Sequence, residues 1–155
     1  MKIALISYWS CPCLPVGQGK NGGMSIYIRN IAQSLSKRGH TVDIFTPVHD
    51  GNDTINTLGK NINVIHISIP SYHHQVRLTA EKYVRRFSRN LISSLTERKD
   101  DYNLFYCHYY FSGLVGIELK KEFNKPIFVT FHSLSKLKEV KGSDSHQRFL
   151  LEKKV

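Results

Sequence analysis

Residues 22–46, GGMSIYIRNIAQSLSKRGHTVDIFT, set a glycine pair, an amphipathic segment and an apolar strand in direct succession. Met24, Ile28, Ile31, Ala32 and Leu35 recur at helical spacing, which predicts a helix over about 24–38 stopped at Gly39. Thr41 to Thr46 predicts a strand, ended by Pro47. Upstream, Lys2 to Ser7 (KIALIS) opens a short apolar strand over roughly 2–8. A loop holding Pro12, Pro15, Gly17, Gly19, Gly22 and Gly23 joins it to the helix. Strand, glycine loop and helix N-terminus together make an anion site. Free N–H groups and the positive end of the helix dipole face the ligand, and glycine lets a phosphate approach closely. Gly23 and Ser25 are expected to open the helix with such groups. Two glycines that merely shape a loop would read the same, so the rest of the chain has to decide.

The rest alternates. His49 to Asn61 is polar and reads as surface loop. Ile62 to Ile69 (INVIHISI) is a third strand, stopped by Pro70, and a helix follows over about 76–98. A fourth strand, about Leu104 to Cys107, precedes a helix over about 111–123. Ile127 to Phe131 (IFVTF) is the fifth strand, and the tail from about Asp144 reads as helix still running at Val155. Strands alternating with helices predict an α/β class, a doubly wound Rossmann-like parallel sheet in the order 3-2-1-4-5. Ligands in such sheets bind beyond the carboxyl ends of the strands, at the switch point. The glycine loop, His108-Tyr109-Tyr110 and His132-Ser133 all follow strand ends, so Gly23, His108 and His132 are expected near one edge.

At 155 residues the chain reads as one domain, 1–155, with 41% hydrophobic residues and a formal charge of +10. No apolar run approaches the roughly 18 residues of a membrane span. The N-terminal apolar run is too short for a signal peptide, so a cytoplasmic protein is expected. Three cysteines without a framework suggest reduced thiols. Cys11-Pro12-Cys13 lacks zinc half-site spacing, and no metal is expected. A Walker loop, G-x-G-x-x-G, G-x-S-x-G and H-E-x-x-H are all missing, which disfavours a nicotinamide-type domain. The charge suits phosphorylated small molecules, an anionic membrane surface or nucleic acid, the last without a recognised motif.

His132 should project from the end of IFVTF, where it can hydrogen-bond a sugar hydroxyl or titrate near neutrality. Of His108 and Tyr109, one should face the cleft and the other the core. Lys136, Lys138 and Lys141 follow His132, and Arg148 comes later; such cations suit a ligand phosphate or carboxylate, or simply a solvated loop. In the second helix, Val84, Phe87, Leu91, Ile92 and Leu95 share one face, and Lys82, Arg85, Arg86 and Arg89 the other. That basic amphipathic helix is either a solvated surface or a contact for anionic lipid headgroups.

Residues 22–46 resemble the first loop, helix and second strand of the retaining GT-B glycosyltransferases, in the group of sucrose-phosphate synthase and the mycothiol-pathway glycosyltransferase. HYYFSGLVGIELKKEFNKPIFVTFHSLSKLK, residues 108–138, is similar to the same family's H-Y-W-x-S-G … P-x-V-x-T-x-H-S/T-L stretch. Tyr110 replaces the usual tryptophan. The resemblance implies an N-terminal, acceptor-side Rossmann-like domain, one half of a GT-B fold. It implies transfer of a sugar, with retention, from a nucleotide-sugar donor to a sugar, sugar-phosphate or lipid-linked acceptor. No metal or other cofactor is implied, since backbone N–H groups and basic side chains hold the phosphates. By resemblance Gly22 and Gly23 contact the donor diphosphate and His132 is the catalytic-site histidine beside the transferred sugar. Tyr109, Ser133, Lys136, Lys138 and Arg148 take the acceptor, the alignment after Leu137 being loose. The donor-binding C-terminal domain that the family requires is not within these residues, so the 155-residue chain alone is expected to be inactive. A peripheral position on the inner membrane face fits the basic helix. The alternative is a non-catalytic sugar-phosphate-binding or membrane-surface module.

Overall fold

The computed structural model describes residues 1–17, 21–48, 55–69, 77–137 and 143–155, without the side chains of 77–81 and 143–145. β1 (Lys2–Ile6), β2 (Thr41–Pro47), β4 (Ile62–Ile67), β5 (Leu104–His108) and β6 (Ile127–Thr130) pair in parallel. With β3 (Ile55–Gly59) they form one six-stranded sheet in the order β3-β4-β2-β1-β5-β6. The five parallel strands keep the expected 3-2-1-4-5 order.

The pleat explains the two-sided core. Ile3, Leu5, Val42, Ile44, Ile62 and Val64 point to one face, where Ile28 and Ala32 of α1 (Gly23–Lys37) cover them. Ala4, Ile6, Phe45, Ile65, Phe105 and Cys107 point to the other. There α2 (Arg77–Glu97) supplies Phe87 and Leu91, and α3 (Tyr109–Phe123) supplies Phe111 and Val115. Alternation at period two, with both sets apolar, is what a sheet buried on both faces demands. α3 packs so closely on β5 and β6 that a Cβ added at Gly116 would lie 2.8 Å from Cys107 Sγ.

Three expectations need correction. Ile55–Gly59 is not surface loop but an antiparallel edge strand on β4, with a register shift between Thr57 and Gly59. Its side chains are mostly exposed, so it lacks the apolar run that marks its neighbours, although Asn61 at φ 58° supplies the left-handed turn residue that a tight hairpin favours. α3 starts two residues earlier than expected, directly from His108, with Tyr109 at φ 74°. The C-terminal helix α4 (Ser143–Glu152) does not run on: Lys153 and Lys154 close it in a turn, donating to Phe149 O and Leu151 O at 3.1 Å each.

Candidate functional site

The carboxyl ends of β1, β5 and β6 lie side by side, so the chain segments leaving them converge on one edge. β1 leads to the loop ending in Gly22-Gly23. β5 leads to His108 and Tyr109, β6 to His132 and Ser133. Gly22 caps α1 without a side-chain hydrogen bond, and a Cβ at Gly22 or Gly23 would meet nothing within 4 Å. Internal packing therefore does not require glycine at either position. The space over the first turn is open to a ligand, where the leading N–H groups of a helix have no partner inside it. Ser25 departs from expectation. Its N–H donates to Gly22 O at 3.0 Å, and its buried hydroxyl donates to Asn21 Oδ1 at 3.0 Å and contacts Ser10 Oγ. Ser25 fastens the helix start to the β1 loop instead of facing an anion.

His132 is exposed and His108 wholly buried, and His108 Nδ1 lies 3.1 Å from His132 Nε2. His108 Nε2 is buried without a partner. A proton on His108 Nδ1 avoids stranding an N–H there, because Nε2 is then a bare lone pair. His132 in that arrangement accepts through Nε2 and keeps its proton on Nδ1. Burial, with the neighbouring His132 adding to it, pushes the His108 imidazole down to about 3, and burial also lowers His132. Both are neutral near pH 7, so His132 is a hydrogen-bonding group there and not a cation. Only His132 faces outward: His108 and Tyr109, expected to divide between cleft and core, are both buried, Tyr109 at 8% exposure.

Tyr27, absent from the sequence expectation, completes this cluster. It stands on α1 four residues beyond Gly23 and packs edge-on to His132, ring centroids 5.1 Å apart at 82°. Its hydroxyl lies 3.3 Å from Tyr106 Oη, which lies 2.8 Å from Thr130 Oγ1. The chain Tyr27–Tyr106–Thr130 thus ties the helix start to β5 and β6. A signal was present: Tyr27 is one helical turn past the glycine pair, on an otherwise polar side of α1.

Tyr109 and His132 also share a left-handed backbone, φ 74° and 59°. For a non-glycine residue this costs on the order of 1–3 kcal/mol and survives only where the surroundings impose it, commonly at functional sites. Arg148 packs against both segments. Buried at 5% exposure, its guanidinium lies 5.2 Å from the Tyr109 ring centroid. Arg148 Nη2 donates to Ser133 O at 2.7 Å and Ser133 Oγ at 3.0 Å, and Nε donates to Glu152 at 2.5 Å. Glu152 in turn accepts from the Ser135 N–H at 2.9 Å and the Ser135 hydroxyl at 2.7 Å. Burial opposes ionisation of Glu152, but the bonds from Ser135 and Arg148 prevail and hold its carboxyl below the usual range. α4 therefore clamps the Ser133–Leu137 segment under the cleft. Arg148 is not the open cation expected for a ligand phosphate: it is buried, bonded to Ser133 and stacked on Tyr109. Lys136 is exposed on the 3-10 turn Ser135–Leu137. Lys138 and Lys141 lie outside the described residues.

The sequence pattern of Glycosyltransferase Family 4 matches residues 21–154. The D-inositol 3-phosphate glycosyltransferase of Corynebacterium glutamicum (strain R) is 31% identical over 146 residues, 94% of this chain and 35% of its own length. A sucrose-phosphate synthase structure from Thermosynechococcus elongatus superposes with a TM-score of 0.84 at 28% identity, over 99% of this chain and 39% of that one. The catalytic domain of starch synthase IV from Arabidopsis thaliana shares the fold, TM-score 0.59 at 15% identity over 94% of this chain and 38% of that one. The chain thus spans about a third of the length of the curated relative.

Proposed function

Since the chain belongs to glycosyltransferase family 4, we propose that it is the N-terminal, acceptor-side wall of a cleft that moves a sugar from a nucleotide-sugar to a phosphorylated acceptor, with retention at the anomeric carbon. The observation that carries this reading is the convergence of the open glycine turn, Tyr27 and the neutral histidine pair on one sheet edge. Gly22 and Gly23 receive the donor diphosphate, whose charge grows as the bond to the anomeric carbon breaks; helix N–H groups stabilise that charge without reorganising. His132 Nδ1–H hydrogen-bonds a hydroxyl of the transferred sugar, its ring held by Tyr27 and His108. Ser133 and Lys136 line the acceptor side, with Lys138 as a further cation, and the buried Tyr109 and Arg148 lie behind Ser133 and position it. The names of the two relatives, one carrying inositol 3-phosphate and the other sucrose phosphate, support a phosphorylated acceptor.

The test joins this chain to the donor-binding domain of a family relative and assays nucleotide-sugars against sugar and inositol phosphates. Transfer with the donor's anomeric configuration preserved, read from the product's anomeric proton coupling, is expected. Inversion, or no transfer to any phosphorylated acceptor, overturns the reading.

A second, compatible reading concerns α2. Lys82, Arg85, Arg86 and Arg89 are all exposed, while Val84, Phe87 and Leu91 are buried. A groove of about 710 Å³ beside it is lined by Lys82, Arg85, Leu114, Leu151 and Lys154. Such a cationic face suits anionic lipid headgroups at a membrane surface. No helix among the described residues is long and apolar enough to cross a membrane.

A further inference from the structure

Cys11 and Cys13 sit in the loop between β1 and α1, on the α1 side of the sheet. Both are free thiols; Cys11 is 1% exposed and Cys13 half-buried. The Cys13 N–H donates to Cys11 Sγ at 3.4 Å, which holds the two thiols as neighbours in one turn. His66, at the end of β4, brings Nε2 to 3.4 Å from Cys11 Sγ. Arg29 of α1 packs on the same loop, with Nη2 donating to Pro12 O at 2.5 Å. Its Nε is buried with no hydrogen-bond partner. The dithiol therefore has an imidazole against its buried sulfur and a guanidinium beside the loop that carries its open one. Among the described residues no three His, Cys, Asp or Glu side chains gather to hold a metal.

We propose that Cys11 and Cys13 form a reversible dithiol–disulfide site, oxidised by low-molecular-weight disulfides, with Cys13 as the attacking thiol and Cys11 as the resolving one. The thiolate is the reactive form. The Cys11 hydrogen bond, and then the Arg29 charge, hold the Cys13 thiol below its ordinary range against the opposing effect of burial. The Cys13 hydrogen bond and burial push the Cys11 thiol up, so Cys11 keeps its proton until needed. The Cys13 thiolate attacks one sulfur of a disulfide RSSR. That S–S bond breaks, RS⁻ leaves, and Cys13 carries a mixed disulfide. Cys11 then passes its proton to His66 Nε2 as its sulfur attacks that of Cys13, expelling the second RS⁻. The protein has lost two protons and two electrons, and RSSR has become two thiols once the protons are shared out. Reach is not an obstacle. Fully extended, two residue steps span about 7 Å between Cα atoms. The turn closed by Leu14 N–H to Cys11 O at 3.4 Å shortens that span, toward the roughly 4.4–6.8 Å that a disulfide bridges.

The test incubates the reduced 155-residue chain with excess glutathione disulfide near neutral pH, caps remaining thiols under denaturing conditions and weighs the peptides. The peptide containing Cys11 and Cys13 should lose two hydrogens, regain them with dithiothreitol, and leave Cys107 capped throughout. Cys11→Ser should stall with glutathione on Cys13, forming that adduct at least about tenfold faster than Cys13→Ser forms one on Cys11. A wild-type chain that keeps both thiols capped, or that holds a lasting glutathione adduct on Cys13 without closing the bridge, overturns the proposal. So does an equal or faster adduct on Cys11 in Cys13→Ser. The wild-type measurement stands even if a variant folds poorly.

Discussion

His108 Nδ1 and His132 Nε2 lie 3.1 Å apart across 24 residues of chain, because β5 and β6 are parallel neighbours and His108 pairs in register with Thr130. One imidazole is buried and the other exposed, so a single protein-facing hydrogen bond fixes the tautomer that the exposed ring offers outward. The pair is also a liability in acid. Unfolded, His108 takes a proton near 6.5; folded, it resists until about 3. In that window the unfolded state binds more protons, so stability is full above about 6.5 and falls as the pH drops, by up to about 1.4 kcal/mol per pH unit. His132 shifts in the same direction. Urea unfolding between pH 7 and 5 should show this slope before the Glu152 carboxyl, ordinarily 4.5 and lower when folded, contributes its own acid loss. His108→Gln should flatten the slope whatever it does to stability at pH 7. An unchanged slope in that variant contradicts the neutral, buried His108.

Glycines on the two sides of the molecule should separate function from packing. Gly116→Ala brings a Cβ to 2.8 Å from Cys107 Sγ and 3.2 Å from Ile127 Cγ2, and should cost about 1–3 kcal/mol through overpacking. Gly23→Val enters open space, and its melting temperature should stay near wild type. In the full transferase, however, the valine side chain would occupy the phosphate's approach and turnover should fall at least about tenfold, the scale of losing one anion-stabilising contact. Full turnover in Gly23→Val would remove the glycine turn from the site.

The parallel sheet was legible because each strand is an apolar run ended by proline, glycine or a polar strand end, and each helix shows its own period. What escaped had weaker or contrary signals. Ile55–Gly59 alternates Ile55 and Thr57 with Asn56 and Leu58, but nothing buries it, so polarity outweighed the Gly59-Lys60-Asn61 turn signal. Tyr27 was hidden because strand-end reasoning looks at loops, and this residue reaches the edge from one turn inside a helix. Arg148 was legible as a cation near the cleft but not as a buried one. Glu152 is its i,i+4 partner on α4, but its burial also depends on Tyr109 and Ser133 arriving from two distant segments, and spacing along the chain does not reveal that meeting.

The Arg148–Glu152 clamp should be worth more than a surface pair, since the two side chains are 7% and 5% exposed. Glu152→Ala strands a buried guanidinium and should cost roughly 3–5 kcal/mol in urea unfolding. Replacing both partners, Arg148→Met with Glu152→Leu, should cost less than Glu152→Ala alone. Additive losses would show that the two groups do not work as a pair.

Replacing Lys82, Arg85, Arg86 and Arg89 of α2 with glutamine should weaken binding to vesicles rich in anionic lipid and reduce its dependence on salt. Sedimentation at low and moderate ionic strength reads both. If the unmodified protein leaves such vesicles unbound at low salt, the cations serve only as a solvated surface.

In the proposed cleft, a phosphorylated sugar and a diphosphate meet at the edge bearing the glycine turn and His132. The direct measurement is a titration of the isotope-labelled 155-residue chain, followed by amide and imidazole resonances, with inositol 3-phosphate, inositol, and a nucleoside diphosphate in turn. The phosphorylated ring should perturb His132, Ser133 and Lys136, the unphosphorylated ring should leave them unmoved, and the diphosphate should perturb Gly22, Gly23 and Met24. Perturbations confined to α2, or equal responses to inositol and its phosphate, would contradict the account.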